Sequence, residues 1–206
     1  MKFKFFILSF VLIFVSCSKH VRTEKKLQKL DHINKYDANF SQQKSDVLLN
    51  VKKFSADDCR YFFGVNVINC GYQPIQLTVN NFSDSVVYLS PTNISLPLVS
   101  PKKVAKKCHW KTGEIMLGVG IIASIFYWPA LIPTVYSGYE MKDSNIEISK
   151  KIIQNDIIHY MDNISILPLE NVSRIIFVSA HNFSNNFLVS LFSQKHGNLE
   201  FKVQFN

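Results

Sequence analysis

Apolar and polar residues alternate with a period of two along several short stretches of this chain. The plainest lies at the end, where Leu199, Phe201, Val203 and Phe205 alternate with Glu200, Lys202 and Gln204, the pattern of a strand with one face buried and one in water. Ile75, Leu77 and Val79 alternate with Gln76 and Thr78, which predicts a half-buried strand over 73–80. Further strands are predicted at 47–51, 86–89, 93–96, 174–178 and 186–192. Turn chemistry separates them, in Asn80-Asn81-Phe82-Ser83-Asp84 and again at 181–185 and 195–198. Short strands spaced about ten residues apart predict a mainly β chain folded as a β-sandwich. A short helix is predicted over 55–64: Ser55 suits the N-cap, Asp57 and Asp58 sit in the electropositive first turn, and Gly64 suits the residue after the last turn.

The middle of the chain follows another pattern. A basic run carries Lys102, Lys103, Lys106, Lys107 and Lys111, and between Glu114 and Glu140 stand 25 residues without a charge. Residues 116–136 have the length of a membrane span, but Pro129 and Pro133 interrupt any helix there. The stretch is read as a buried helix or hairpin inserted between two groups of strands, with a true span and a bilayer-dipping or partner-binding patch as the alternatives. After it, Ser144 and Glu147 match a capping box, and Ile146, Ile153, Ile157, Tyr160 and Met161 form an apolar stripe. An amphipathic helix is therefore predicted over 144–161.

The first residues read as an address. Lys2 and Lys4 precede eleven uncharged residues, Phe5–Val15, which as helix extend only about 16 Å, half of a hydrocarbon core. This is the build of a cleaved export signal rather than of a stable span. Phe14-Val15-Ser16-Cys17 then resembles the lipobox of bacterial lipoproteins, with Phe14 where that family usually has Leu. The resemblance implies that Cys17 becomes lipid-modified and the new N-terminus, and that Ser18 directs the product to the outer membrane. Residues 18–44 are rich in Lys, Gln and Asn, with Leu27, Leu30 and Ile33 as the only hint of an apolar turn, and read as a flexible tether.

Composition narrows the classes. A chain of 206 residues with 47% hydrophobic residues is long and apolar enough for one packed domain, and the net charge of +8 makes its surface basic. The five lysines of the basic run are candidates for binding an anionic surface. Export makes nucleic acid the least expected partner. Chemistry is sparse: no Gly-x-Ser-x-Gly elbow, no His-Glu-x-x-His, no Cys-x-x-Cys and no phosphate-cradling glycine loop is present. No metal, cofactor or catalytic residue is assigned, and His109, His159, His181 and His196 stand apart from one another in the sequence. Beyond Cys17 the chain has three cysteines. An oxidising envelope closes one pair, most simply Cys59 with Cys70, leaving Cys108 buried; three reduced thiols are the other reading. Asn-x-Ser triplets at Asn39, Asn81, Asn93, Asn163, Asn171 and Asn182 mark either glycan acceptors or the turns of a β protein.

The strand ending in Val79-Asn80-Asn81, the polar turn and the following strand resemble the second and third strands of immunoglobulin-like sandwich modules. The whole therefore reads as a signal peptide (1–16), a lipid-anchored tether (17–44) and an immunoglobulin-like β-sandwich (45–206). A helical, strongly apolar insertion at about 113–161 makes the domain α+β overall. The expected role is that of a non-enzymatic protein of the bacterial cell envelope. It is held to the membrane by lipid on Cys17, and contacts another envelope protein or the bilayer through 116–136. An integral membrane subunit and a small envelope hydrolase using His109 or His181 as base are the rival readings.

Overall fold

The computed structural model describes residues 30–34, 36–109, 143–153, 157–158 and 163–205. Among these, eight strands alternate with turns and helices: β1 (Phe40–Lys44), β2 (Val47–Lys53), β3 (Tyr72–Asn81), β4 (Val87–Ile94), β5 (Ile164–Ile166), β6 (Asn171–Ser179), β7 (Asn186–Ser193) and β8 (Gly197–Gln204). They pair antiparallel in two four-stranded sheets, ordered β1-β2-β3-β6 and β5-β4-β7-β8. Period-two patterning packs them together: Leu49, Ile75, Leu77 and Val79 of the first sheet share one buried cluster with Leu89, Val189, Leu191 and Phe201 of the second. In β8, Leu199, Phe201 and Val203 are buried while Asn198, Glu200, Lys202 and Gln204 are exposed, as the alternation predicts.

β3 departs from expectation, because all ten of its residues are buried. The first sheet is covered on both faces. Its outer face carries a helical layer formed by α1 (Ala56–Phe63), α2 (Pro101–Cys108) and α3 (143–153). These contribute Cys59, Phe63, Val104, Ala105, Ile148 and Ile152 to a second cluster with Phe54, Ile175 and Phe177. Gln76 and Thr78, which look solvent-facing in the sequence, therefore point into a covered face and need hydrogen-bond partners there.

Those partners come from the supposed tether. Gln76 Nε2 donates to the carbonyl of Asp31 (2.7 Å), Asn50 Nδ2 donates to that of Ile33 (3.0 Å), and the Ile33 amide donates to Thr78 Oγ1 (3.2 Å). Leu30 and Ile33 are buried, and residues 40–44 form β1 on the edge of the first sheet. The flexible 17–44 tether is thus corrected: the described residues from Leu30 onward belong to the folded unit. Composition conceals this because the segment is held largely through its backbone, by polar side chains of β2 and β3.

The α1 caps match the sequence signals. Ser55 Oγ accepts from the Asp58 amide while Asp58 accepts from that of Ser55, and Gly64 adopts φ +75°, which glycine takes without steric cost. The helix predicted over 144–161 is corrected at both ends. It is already helical at Asp143, so Ser144 lies inside it, and Ile157 and Ile158 are not helical: Ile157 bridges Ile175 and the Ile158 amide donates to the Ile175 carbonyl (3.1 Å). With Val99, whose amide donates to the Phe177 carbonyl (2.8 Å), this segment occupies hydrogen-bonding positions along the outer edge of β6. The uncharged stretch 115–139, including 116–136, and the leader lie outside the described residues.

Candidate functional site

Residues 101–108 of the basic run form the helix α2. Ser100 is the N-cap, Pro101 opens the first turn, and Pro101, Val104, Ala105 and Cys108 are buried. Ser-Pro followed by an apolar i, i+3, i+4, i+7 set is the sequence signal that finds it. The remaining positions, Lys102, Lys103, Lys106 and Lys107, are all exposed and line the opposite side of α2. Among the described residues none of the four has a carboxylate within ion-pair distance. Three carboxylates of the helical layer are engaged elsewhere, Asp57 with Arg60, Asp58 with Lys52 and Glu147 with Lys151, each at 2.7–2.8 Å. Lys107 lies over the Tyr72 ring, 5.3 Å from its centre. Lys111 and Cys17 lie outside the described residues.

The helix is fastened to the body by a disulfide between Cys108 and Cys70, 38 residues apart with Cα atoms 5.4 Å from each other. The expected Cys59–Cys70 pair is thereby corrected. Cys59 faces inward from α1 as a buried free thiol, and burial pushes its pKa up to about 11, which leaves it un-ionised and inert at neutral pH. Cys70 sits in the turn before β3, beside Gly71, where a Cβ would stand 3.4 Å from Lys107 Nζ. Cys70 thus meets the C-terminal end of α2, while the backbone of Val67 and Ile68, earlier in the same turn, lies against the Cys59 thiol.

The described histidines do not converge. His181 is exposed in a short turn after β6, and His196 lies 3.7 Å from Asp46 at the far end of the sheets; His159 lies outside the described residues. His109, following α2, is hydrogen-bonded through Nε2 to Ser149 Oγ of α3. Among the described residues no carboxylate is hydrogen-bonded to His109, and no group of three or more His, Cys, Asp or Glu could hold a metal ion. No described helix is long and apolar enough to cross a membrane.

At the end of the sheets away from α2, the β3–β4 and β5–β6 loops are clamped together. The buried Asn81 donates from Nδ2 to the carbonyls of Ser85, Ile166 and Leu167 at 2.8–3.1 Å, and its Oδ1 accepts from the amide and hydroxyl of Ser83. This Asn-Phe-Ser triplet is turn chemistry, and its asparagine is inaccessible to a glycosyl donor. The clamped loops expose Phe82, Leu167 and Leu169, at 52, 56 and 78%. Leu169 adopts φ +61°, a conformation costly for a residue bearing Cβ.

No protein-family model matches the chain, and no curated protein matches its sequence.

Proposed function

We propose that this chain is a non-enzymatic, lipid-anchored protein of the bacterial cell envelope, attached through Cys17 with outer-membrane sorting through Ser18. The observation that carries the reading is the charged-then-apolar leader ending in Phe14-Val15-Ser16-Cys17. The Cys70–Cys108 disulfide supports it, since such bonds persist in oxidising compartments and not in a reducing cytosol. One acyl chain binds a membrane only marginally, whereas two or three hold firmly, so multiple acylation of Cys17 makes the attachment stable.

The body is read as an immunoglobulin-like sandwich. In support, β2, β3 and β6 take the order of strands A, B and E, while β5, β4, β7 and β8 take that of C′, C, F and G, with the chain crossing between sheets from β3 to β4, from β5 to β6 and from β6 to β7. Such a module presents loops at its ends, and partner binding is its proposed work, either to another envelope protein or to the bilayer through 116–136. No cofactor or nucleic acid enters this reading. Metabolic labelling with a palmitate analogue tests the anchor: the wild type incorporates label and the Cys17→Ser variant does not, and equal labelling of the two refutes it.

The hydrolase reading has one observation in its favour, the His109–Ser149 hydrogen bond, the contact that a serine nucleophile needs from its base. Turnover of small activated esters that disappears in Ser149→Ala would support it; no turnover, or turnover untouched by that change, dismisses it.

A further inference from the structure

We infer that the lysine side of α2 lies on the anionic phospholipid headgroups of the bilayer that holds the Cys17 lipid, so that the body rests with its helical layer towards the membrane. The inference rests on the lipid-anchor reading and adds to it a second contact and an orientation.

Three features of the structure carry it. First, Lys102, Lys103, Lys106 and Lys107 present four ammonium groups on one exposed side of a short helix, with no carboxylate of the described residues paired to them. Second, the helix is braced: Pro101, Val104, Ala105 and Cys108 are buried and Cys108 is disulfide-bonded, so the charges stand on a fixed platform. Third, the chain coming from Cys17 enters the body on this side, because Leu30 packs in the same buried cluster as Val104, Ala105 and Cys108. Whatever path residues 18–29 take, their contour cannot exceed about 45 Å from Cys17 to Leu30.

The magnitudes are matched. A lysine beside anionic headgroups strengthens attachment by roughly fivefold, so four strengthen it by a few hundredfold. That is weak for a free protein but sufficient for one whose anchor keeps the face near the surface at an effective concentration of order millimolar. β3 runs from Tyr72, beside Lys107, to Asn81 at the loop clamp. Its ten residues extend about 30 Å, so Phe82, Leu167 and Leu169 lie about that far along the sheet from the lysine side of α2.

The test is the partition of the full chain between vesicles of phosphatidylcholine alone and vesicles with about 30 mol% phosphatidylglycerol, at about 0.02 M and about 0.5 M salt. Binding through acyl chains or apolar segments is common to both vesicles, so the anionic-to-neutral ratio reports electrostatic attraction, and its change on substitution is the share of these four lysines. The expected ratio is a few hundredfold at low salt, collapsing at high salt. It falls by that same factor of a few hundred when Lys102, Lys103, Lys106 and Lys107 are all changed to Gln, and is retained when all four are changed to Arg. A ratio unchanged in the Gln variant overturns the inference, as does a ratio lost equally in the Arg variant. Displacement by inorganic phosphate at matched ionic strength overturns it too, by pointing to a discrete phosphate site. If the mature chain carries no lipid while the lysine-dependent ratio persists, the anchor reading fails and the lysine surface stands.

Discussion

Cys108, at the C-terminal end of α2, is disulfide-bonded to Cys70, in the turn that leads into β3. The bond closes a 38-residue separation that contains all of β3 and β4, so it joins the helical layer to the sheets across a long stretch of chain. The chain-entropy argument assigns such a loop about 4 kcal/mol. Cys70→Ser and Cys108→Ser are each expected to lower the unfolding free energy by about 3–4 kcal/mol, and reduction of the wild type to do the same. Peptide mapping without reductant should recover Cys70 linked to Cys108 and Cys59 as a thiol; a Cys59–Cys70 peptide would contradict the structure.

The backbone of Ile33 is held at both of its polar groups, the amide by Thr78 Oγ1 and the carbonyl by Asn50 Nδ2. A buried carbonyl deprived of its donor costs about 1–3 kcal/mol. Asn50→Ala is therefore expected to destabilise the fold by about that amount in chemical denaturation. Hydrogen exchange provides the direct check: the Ile33 amide should exchange as slowly as amides of β2, and exchange at the rate of an unstructured peptide would return this segment to the tether.

How much of this was legible in the sequence depended on whether each contact leaves a pattern. β8 was readable because it faces the core on one side and water on the other, so its burial is written as alternation. β3 shows the same alternation and is buried on both faces, since Gln76 and Thr78 are paired with a segment whose composition looks solvated. β1, with Phe40 as its one apolar residue, and the three-residue β5 carry too little pattern to be read. α2 could have been found from Ser100, Pro101 and the Val104, Ala105, Cys108 set. The disulfide partner could not be read at all, because pairing is decided by which turn meets which helix end in space. Of the proposed site, the lysines were legible as residue types, and their unpaired alignment on one side of a braced helix was not.

Leu169 follows Pro168 in the β5–β6 turn with φ +61°, and its side chain is 78% exposed. It makes little contact to offset a backbone conformation that costs a residue bearing Cβ about 1–2 kcal/mol. Leu169→Gly relieves that cost and admits more freedom to the unfolded chain. The net expectation is a gain of about 0.5–1 kcal/mol, seen as a higher denaturation midpoint. A loss of 1 kcal/mol or more, on the order of a buried-side-chain truncation, would mean that the side chain is packed.

Asp58 sets an acid dependence. Burial alone would raise its pKa, but hydrogen bonds from Lys52 and Ser55 outweigh that and hold it below the ordinary value of 3.8. With the folded value below the unfolded one, the stabilisation is fully present above about pH 4 and is lost as pH falls through the folded value. Denaturation midpoints followed from neutral pH downwards should show this loss in the wild type. Asp58→Asn should be less stable at pH 7 and lack that part of the acid sensitivity; equal acid slopes for the two proteins would place the titration elsewhere.

The central claim is that Cys17 is acylated and begins the mature chain. Intact-mass and N-terminal peptide mass spectrometry of the protein taken from its own membrane measures this directly. The account predicts an N-terminal Cys17 carrying a diacylglyceryl group, with residues 1–16 removed. A mature product with an unmodified Cys17, or with the leader still attached, would contradict it.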